Sequence, residues 1–370
     1  MSDTRLTPLA QSLPATVPFI GPEELERRRG APFAARLGAN ENVFGPSPKA
    51  IAAMQAATPD LWKYGDSASH DLCVALAEHL DTRLETVTVG EGVDGLLGLL
   101  VRLLVAPGDR VVTSHGAYPT FNYHVQGFGG ELVTVPYKGD HEDPRALFAK
   151  ARETGAKLVY LANPDNPMGS YLNGQDIADA LADLPDHALL VLDEAYIECA
   201  PEAALAPIAY DDPRVIRMRT FSKAYALAGA RVGYAIGDPT LIAAFDTVRN
   251  HFGMHRTAQD GALAALADQD HLRDTVARIA ASREEIARIA RDNGLVPLPS
   301  ATNFVTADTG GDGDTARSLV AALGARGVFV RMPFVAPQDR CIRISCGTPE
   351  DLLRLEEALP AALAEINSAG

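Results

Sequence analysis

Cysteine is scarce in this 370-residue chain: Cys73, Cys199, Cys341 and Cys346 stand apart, with no Cys-x-x-Cys pair. That number and spacing match neither a disulfide framework nor a zinc site, and fit a reducing compartment. Basic residues are also in deficit, 33 against 48 acidic ones, for a net charge of −15. No Lys/Arg run supplies the basic face that nucleic acid or an anionic membrane needs, so small-molecule chemistry is favoured. Long apolar runs are missing as well: the most apolar stretch, residues 95–107, is interrupted by Arg102 and too short to span a bilayer. Residues 1–20 hold one arginine, three prolines and no sustained apolar segment, unlike a secretory signal. The expectation is a cytoplasmic protein without nucleic-acid or membrane partners.

What is present is an ordinary globular composition, 47% hydrophobic and 22% charged, at a length that suits two domains better than one. Short apolar runs alternate with helical stretches from about residue 86 to 250, as strands and crossover helices do in a mostly parallel α/β sheet. Seven strands are predicted, at 86–89, 110–113, 132–135, 158–161, 188–192, 215–218 and 232–236. Helical spacing then runs from 258 to 293 and stops at Gly294. Strands at 303–306, 328–331 and 341–345, with helices at 314–325 and from Pro349, make a smaller α/β layer. The expected division is a proline-rich arm over 1–48, packing on the small domain or a partner chain, a large domain over 49–255 and a small one over 256–370.

Several motifs fall at predicted strand ends, where open α/β sheets bind ligands. Asp193 ends the apolar run 188–192, and Tyr196 follows three residues later. A buried anion there wants a cation, although the same aspartate could simply cap a helix. Asn166 lies in Asn163-Pro164-Asp165-Asn166-Pro167-Met168-Gly169, a run that turn chemistry alone also explains. Gly90-Glu91-Gly92-Val93-Asp94-Gly95 is formally a G-x-G-x-x-G between strand and helix, but the next strand lacks the terminal acid that binds a dinucleotide ribose. A glycine turn opening a helix still presents amides to a phosphate. Ser222, Lys223 and Arg231 follow the strand at 215–218 and add a hydroxyl, an amine and a guanidinium. His251 and His255 have the i, i+4 spacing of metal ligands, but Gly253 weakens a helix there and no metal is expected.

Together these residues suit pyridoxal 5'-phosphate, whose aldehyde needs a lysine, whose ring nitrogen needs an anion and whose phosphate needs a cup. In this order they resemble fold type I pyridoxal phosphate enzymes, and most closely the histidinol-phosphate aminotransferase group, from Asn40-Glu41-Asn42 to Arg343-Ile344-Ser345-Cys346-Gly347-Thr348. The resemblance implies that Lys223 carries the Schiff base, Asp193 pairs the ring nitrogen, and Asn166 and Tyr196 bind the phenolic oxygen. It implies that Tyr118 stacks on the ring and that Ser222, Arg231 and the amides of Gly92 and Val93 hold the phosphate. Tyr64 would reach the phosphate of the neighbouring subunit in a homodimer. Arg343, Arg331 and Asn42 would bind substrate, Arg343 taking the carboxylate of glutamate or 2-oxoglutarate. The implied reaction moves an amino group from histidinol phosphate or an aromatic amino acid to 2-oxoglutarate. The alternatives are decarboxylation of a phosphorylated amino acid and a pyridoxal phosphate-sensing regulator. Phe19 stands where many such enzymes carry a tyrosine, Val43-Phe44 and Asn250-His251-Phe252-Gly253 replace the usual runs, and Met168 replaces a threonine, so the substrate end departs from the pattern.

Overall fold

The structure is a computed structural model that describes residues 5–14 and 19–369, leaving out parts of the expected N-terminal arm. Twelve strands occur among the described residues: β1 (Ala35–Arg36), β2 (Val87–Gly90), β3 (Arg110–Ser114), β4 (Glu131–Val135), β5 (Leu158–Ala162), β6 (Leu189–Asp193), β7 (Val215–Thr220), β8 (Gly233–Ile236), β9 (Val296–Pro297), β10 (Phe304–Asp308), β11 (Val328–Phe329) and β12 (Cys341–Ser345).

Strands β2 to β8 form one seven-stranded sheet in the order β2-β8-β7-β6-β5-β3-β4. Only β8 runs antiparallel to its neighbours, so the sheet is mostly parallel, with shifts of one or two residues from the predicted strand ends. Alternation along the strands explains its two cores. Tyr160, Val191, Ile216 and Met218 pack on one face with Leu96, Leu100 and Phe121. Val159, Leu161, Leu190, Leu192 and Val215 pack on the other with Leu147 and Phe148. A sheet covered on both faces needs such near-continuous apolar strands, and leaves only its strand ends for polar chemistry.

The smaller layer is the antiparallel sheet β12-β10-β9 with the helices Gln269–Asp292, Gly313–Ala325 and Pro349–Ala369. Strand β1 of the arm pairs in parallel with β11. The single helix predicted over 258–293 is instead two, Arg256–Leu266 and Gln269–Asp292. Asp268 breaks it: its carboxylate accepts from Ser47 Oγ at 2.5 Å and Lys49 Nζ at 2.7 Å, and its backbone leaves the helical region. The first helix buries Ala258, Ala262 and Ala265 against Ala50, Leu72 and Cys73. We propose that the large domain extends through this helix and that the small one starts at Gln269, rather than at 256.

At the junction of β6 and β7, Glu194 is buried between Arg217, at 2.5 Å, and Arg219, at 2.8 Å. Burial pushes its carboxyl up, but Arg219 and Arg217 outweigh that and hold it below the usual range. Glu194→Gln would strand two buried guanidiniums, and chemical denaturation should show a loss of about 3–5 kcal/mol. A loss below about 1 kcal/mol, the range of exposed pairs, would mean that water compensates the two cations.

Candidate active site

The parallel strands deliver their C-terminal residues to one edge. Asp193 closes β6 and is 6% exposed. It accepts hydrogen bonds from Tyr160 Oη at 2.5 Å and the Ala195 amide at 2.9 Å. Burial pushes its carboxyl up to about 6, with the Tyr160 and Ala195 hydrogen bonds opposing. Both donors are neutral, so the carboxylate suits an external cation such as a protonated aromatic nitrogen.

Lys223 follows β7, and its Nζ donates to the Asn40 carbonyl at 3.2 Å while lying 5.5 Å from the centre of the Tyr196 ring. Enclosure by protein lowers its pKa to about 8, helped by Arg343 and Arg231 and opposed by Asp94 and Glu41. The amine is therefore partly neutral near physiological pH, as a nucleophile or base must be. Tyr196 is 4% exposed, and its hydroxyl accepts from Asn40 Nδ2 at 3.0 Å and Asn166 Nδ2 at 3.5 Å. Two incoming donors leave the tyrosine proton free for a third partner. Burial keeps it protonated by raising its pKa.

Beside Lys223 lies an anion cup. Arg231 Nη1 donates to Ser222 Oγ at 3.3 Å and to the Ala228 carbonyl at 3.0 Å. Gly92 opens the helix Gly92–Leu104 at φ +77°, and a Cβ there would sit 2.3 Å from Arg231 Nη2. Glycine is thus required for guanidinium and helix amides to converge, and Val93 supplies the next amide. Asp94 joins cup to ring site: it accepts from Tyr118 Oη at 2.8 Å and lies 4.0 Å from Arg231.

The opposite wall is cationic. Arg331 and Arg343 face each other across an antiparallel bridge, with N···O distances of 3.1 and 2.6 Å. Arg343 Nη1 donates to Asn166 Oδ1, and Arg331 lies 3.8 Å from the centre of the Phe19 ring. Burial lowers the pKa of Arg331 to about 10 with help from Arg343, and burial likewise lowers that of Arg343. Each keeps a buried Nε without a partner. Such guanidiniums fit two anionic groups of a substrate.

Lys223, Asp193, Tyr196, Tyr118, Asn166, Ser222, Arg231, Gly92, Val93, Arg343 and Arg331 are thus grouped as their sequence positions suggested. Asn42 is a correction: its amide donates to the Lys223 and Ala224 carbonyls at 3.0 and 3.1 Å, so it braces the lysine backbone and is not free for substrate. Tyr64 is 75% exposed and stacks on Phe252, with ring centres 4.5 Å apart. Sequence reasoning missed Asn40, Asp94 and Tyr160. The first two lay inside motifs already singled out, whereas nothing in the apolar run of β5 marked Tyr160. Among the described residues, no group of three or more His, Cys, Asp or Glu is placed to hold a metal ion, and no helix is long and apolar enough to cross a membrane.

The cradle therefore suits a planar cofactor with a basic ring nitrogen, a phosphate and a carbon open to attack by an amine. Residues 35–359 match the family described as aminotransferase class I and II. The chain is 37% identical over 364 residues to a histidinol-phosphate aminotransferase of Anaeromyxobacter sp., covering 97% of this chain and 98% of that one. It is 35% identical over 346 residues to histidinol-phosphate aminotransferase 1 of Nitrosococcus oceani, covering 93% and 92%. Its fold superposes with a TM-score of 0.96 on the Sinorhizobium meliloti histidinol-phosphate aminotransferase, solved with pyridoxal 5'-phosphate, at 54% identity and 98% coverage of both chains. With the lysine, the buried aspartate and the anion cup in place, the chain belongs to the class I and II aminotransferases, within their histidinol-phosphate aminotransferase group.

Proposed function

We propose that this pyridoxal phosphate-dependent aminotransferase takes the amino group of histidinol phosphate and passes it to 2-oxoglutarate. The observation that carries the choice of substrates is the pair Arg331 and Arg343, two enclosed guanidiniums side by side without a carboxylate at salt-bridge distance among the described residues. Histidinol phosphate brings a phosphate dianion and 2-oxoglutarate two carboxylates, so each can engage the pair. The relatives named as histidinol-phosphate aminotransferases support the same reading. None of those relatives is named as a decarboxylase or a regulator.

The fit to the cofactor rests on the carboxylate of Asp193 and on the space that Gly92 leaves beside Arg231. Asp193 would hold a proton on the ring nitrogen, and Tyr196 and Asn166 would donate to the phenolic oxygen. Tyr118 would flank the ring, and Ser222, Arg231 and the Gly92 and Val93 amides would bind the phosphate. When bound, pyridoxal phosphate acts as the electron sink that makes the substrate Cα proton acidic. Lys223 Nζ would anchor the cofactor, and its neutral amine would be the base that takes the proton from substrate Cα and returns it within the site. Arg343 and Arg331 would hold the two carboxylates of 2-oxoglutarate, and the phosphate of histidinol phosphate, which carries no carboxylate, would engage the same pair. Asn40 and Asn42 keep the lysine aimed by binding its amine and its backbone.

A homodimer completes the site in this reading, with Tyr64 of each subunit reaching the other's phosphate. Its support is the exposed group formed by Leu61, Trp62, Tyr64 and Phe252, each more than half exposed, an apolar patch that a second copy would cover.

Single-turnover reactions of the pyridoxal phosphate form with different amines test the donor. Histidinol phosphate should react at least about tenfold faster than phenylalanine or tyrosine, the worth of one charge-assisted contact at about 1.5–3 kcal/mol. An aromatic amino acid reacting faster would move the assignment to aromatic substrates, which the Phe19 ring at Arg331 would then serve.

A further inference from the structure

Tyr196 receives two hydrogen bonds whose direction is set on strand β12. Asn40 is 3% exposed and holds a left-handed backbone at φ +54°, a region that asparagine tolerates better than most residues. Its backbone amide donates to Ser345 Oγ at 2.9 Å, and that hydroxyl donates on to Asn40 Oδ1 at 3.0 Å. A backbone amide can only donate, so the serine proton has one way to go and the Asn40 side chain one orientation. Its Nδ2 is thereby turned to Tyr196 Oη at 3.0 Å. The second bond follows the same rule. Arg343 Nη1 can only donate to Asn166 Oδ1, which turns Asn166 Nδ2 to the same hydroxyl at 3.5 Å. Ser345 and Arg343 lie two residues apart on β12, so one strand of the small layer sets both bonds.

We propose that Asn40 is a positioning residue that makes Tyr196 an obligate donor toward the phenolic oxygen of the cofactor, with Ser345 fixing the orientation of its amide. This rests on the reading of Tyr196 as a ligand of that oxygen. With both acceptor positions of its hydroxyl filled, Tyr196 can only send its proton outward. A hydroxyl that accepts is also the stronger donor, since each bond in a chain polarises the next. Of the two incoming bonds the one from Asn40 is the shorter, so it carries more of this effect. The side chain of Asn40 acts through Tyr196, while its carbonyl, held by Asn303 Nδ2 at 2.9 Å, is what meets Lys223. The phenolic oxygen bears more charge when the Lys223 Schiff base has lost its proton than when it shares that proton. A donor at the oxygen therefore favours the unprotonated form and lowers the Schiff-base pKa, and loss of the Asn40 amide raises it. The charged groups facing Tyr196 are Arg343, Asp193 and Lys223, and all three stay in place in variants at residue 40.

Spectrophotometric pH titration of the pyridoxal phosphate-loaded enzyme reads the Schiff-base pKa from its visible band, without turnover. Asn40→Gly keeps the backbone amide, the carbonyl and the left-handed turn, and removes only the side-chain amide. The pKa should rise by about 0.4–1 unit, the worth of one neutral hydrogen bond. In a Tyr196→Phe background the same change should add nothing, because the relay then has no end. A rise that persists in Tyr196→Phe overturns the proposal, as does the absence of a rise in the enzyme with Tyr196. If Asn40→Gly fails to fold, Ser345→Ala decides. The freed amide can then turn its oxygen to Tyr196 Oη, so the pKa should rise with Tyr196 present and stay put in Tyr196→Phe; any other pattern overturns the proposal. Tyr196→Phe alone separates the two readings. An unshifted pKa there removes the tyrosine from the phenolic oxygen and this inference with it, whereas a shift there with none in Asn40→Gly removes only the inference.

Discussion

Lys223→Ala is expected to lower turnover by at least about 10⁴-fold, the upper range for a single general acid-base group, and to abolish covalent capture of the cofactor. The argument starts from the amine's surroundings. Enclosure and the cations Arg343 and Arg231 lower its pKa to about 8, so at pH 7.4 roughly a fifth of the molecules carry a neutral amine, against about a thousandth at the ordinary lysine value. The Asn40 carbonyl at 3.2 Å holds the nitrogen over the cleft, and the two backbone bonds from Asn42 fix the residue that bears it. Borohydride treatment followed by peptide mass analysis should place the cofactor on Lys223 in wild type and nowhere in the variant. Attachment rates should climb with pH up to about 8 and level off above it, since the neutral amine is the attacking form. A variant that retains the adduct would put the attachment point on another lysine.

That lysine was legible because it came in sequence with Asp193 and Tyr196, just beyond an apolar run with the look of a buried strand, and with Arg231 shortly before the next strand. Strand β6 shows the logic: Leu189 to Leu192 must be covered on both faces, so Asp193 is the first residue able to meet a ligand. Tyr160 escaped the same reasoning. Its ring packs on Phe121 with centres 4.7 Å apart, as an ordinary core residue would, while its hydroxyl reaches Asp193 on the adjacent strand. Pairing register decides this, with Ala162 opposite Asp193 and Tyr160 two residues before it, and local pattern does not encode register. Asn42 was misread for a related reason. Its motif was visible, but its bonds to Lys223 and Ala224 span about 180 residues of chain. The long helix predicted over 258–293 failed at Asp268, where contacts with Ser47 and Lys49 overrode a continuous helical spacing.

Asp193→Asn is the second large effect expected, a fall in kcat of about 10²- to 10⁴-fold with little change in KM. The substitution keeps the shape of the side chain and an oxygen that can accept from Tyr160 or Ala195, so the fold around it should stand. It removes the charge. In the free protein that charge is costly, which is why burial pushes the carboxyl up to about 6. A cation beside it reverses the balance, and breaking a buried pair of this kind costs about 3–5 kcal/mol. At about 1.4 kcal/mol per factor of ten, that loss gives the range stated. It falls on kcat because the proton on the ring nitrogen matters most as negative charge develops on the substrate, whereas in the proposed reading Arg343 and Arg331 would bind the substrate's own anions in ground state and transition state alike. Steady-state kinetics with a saturated cofactor would measure both parameters. A kcat within about threefold of wild type would mean that the ring nitrogen does not rest on Asp193, since a buried charge partner cannot be lost so cheaply.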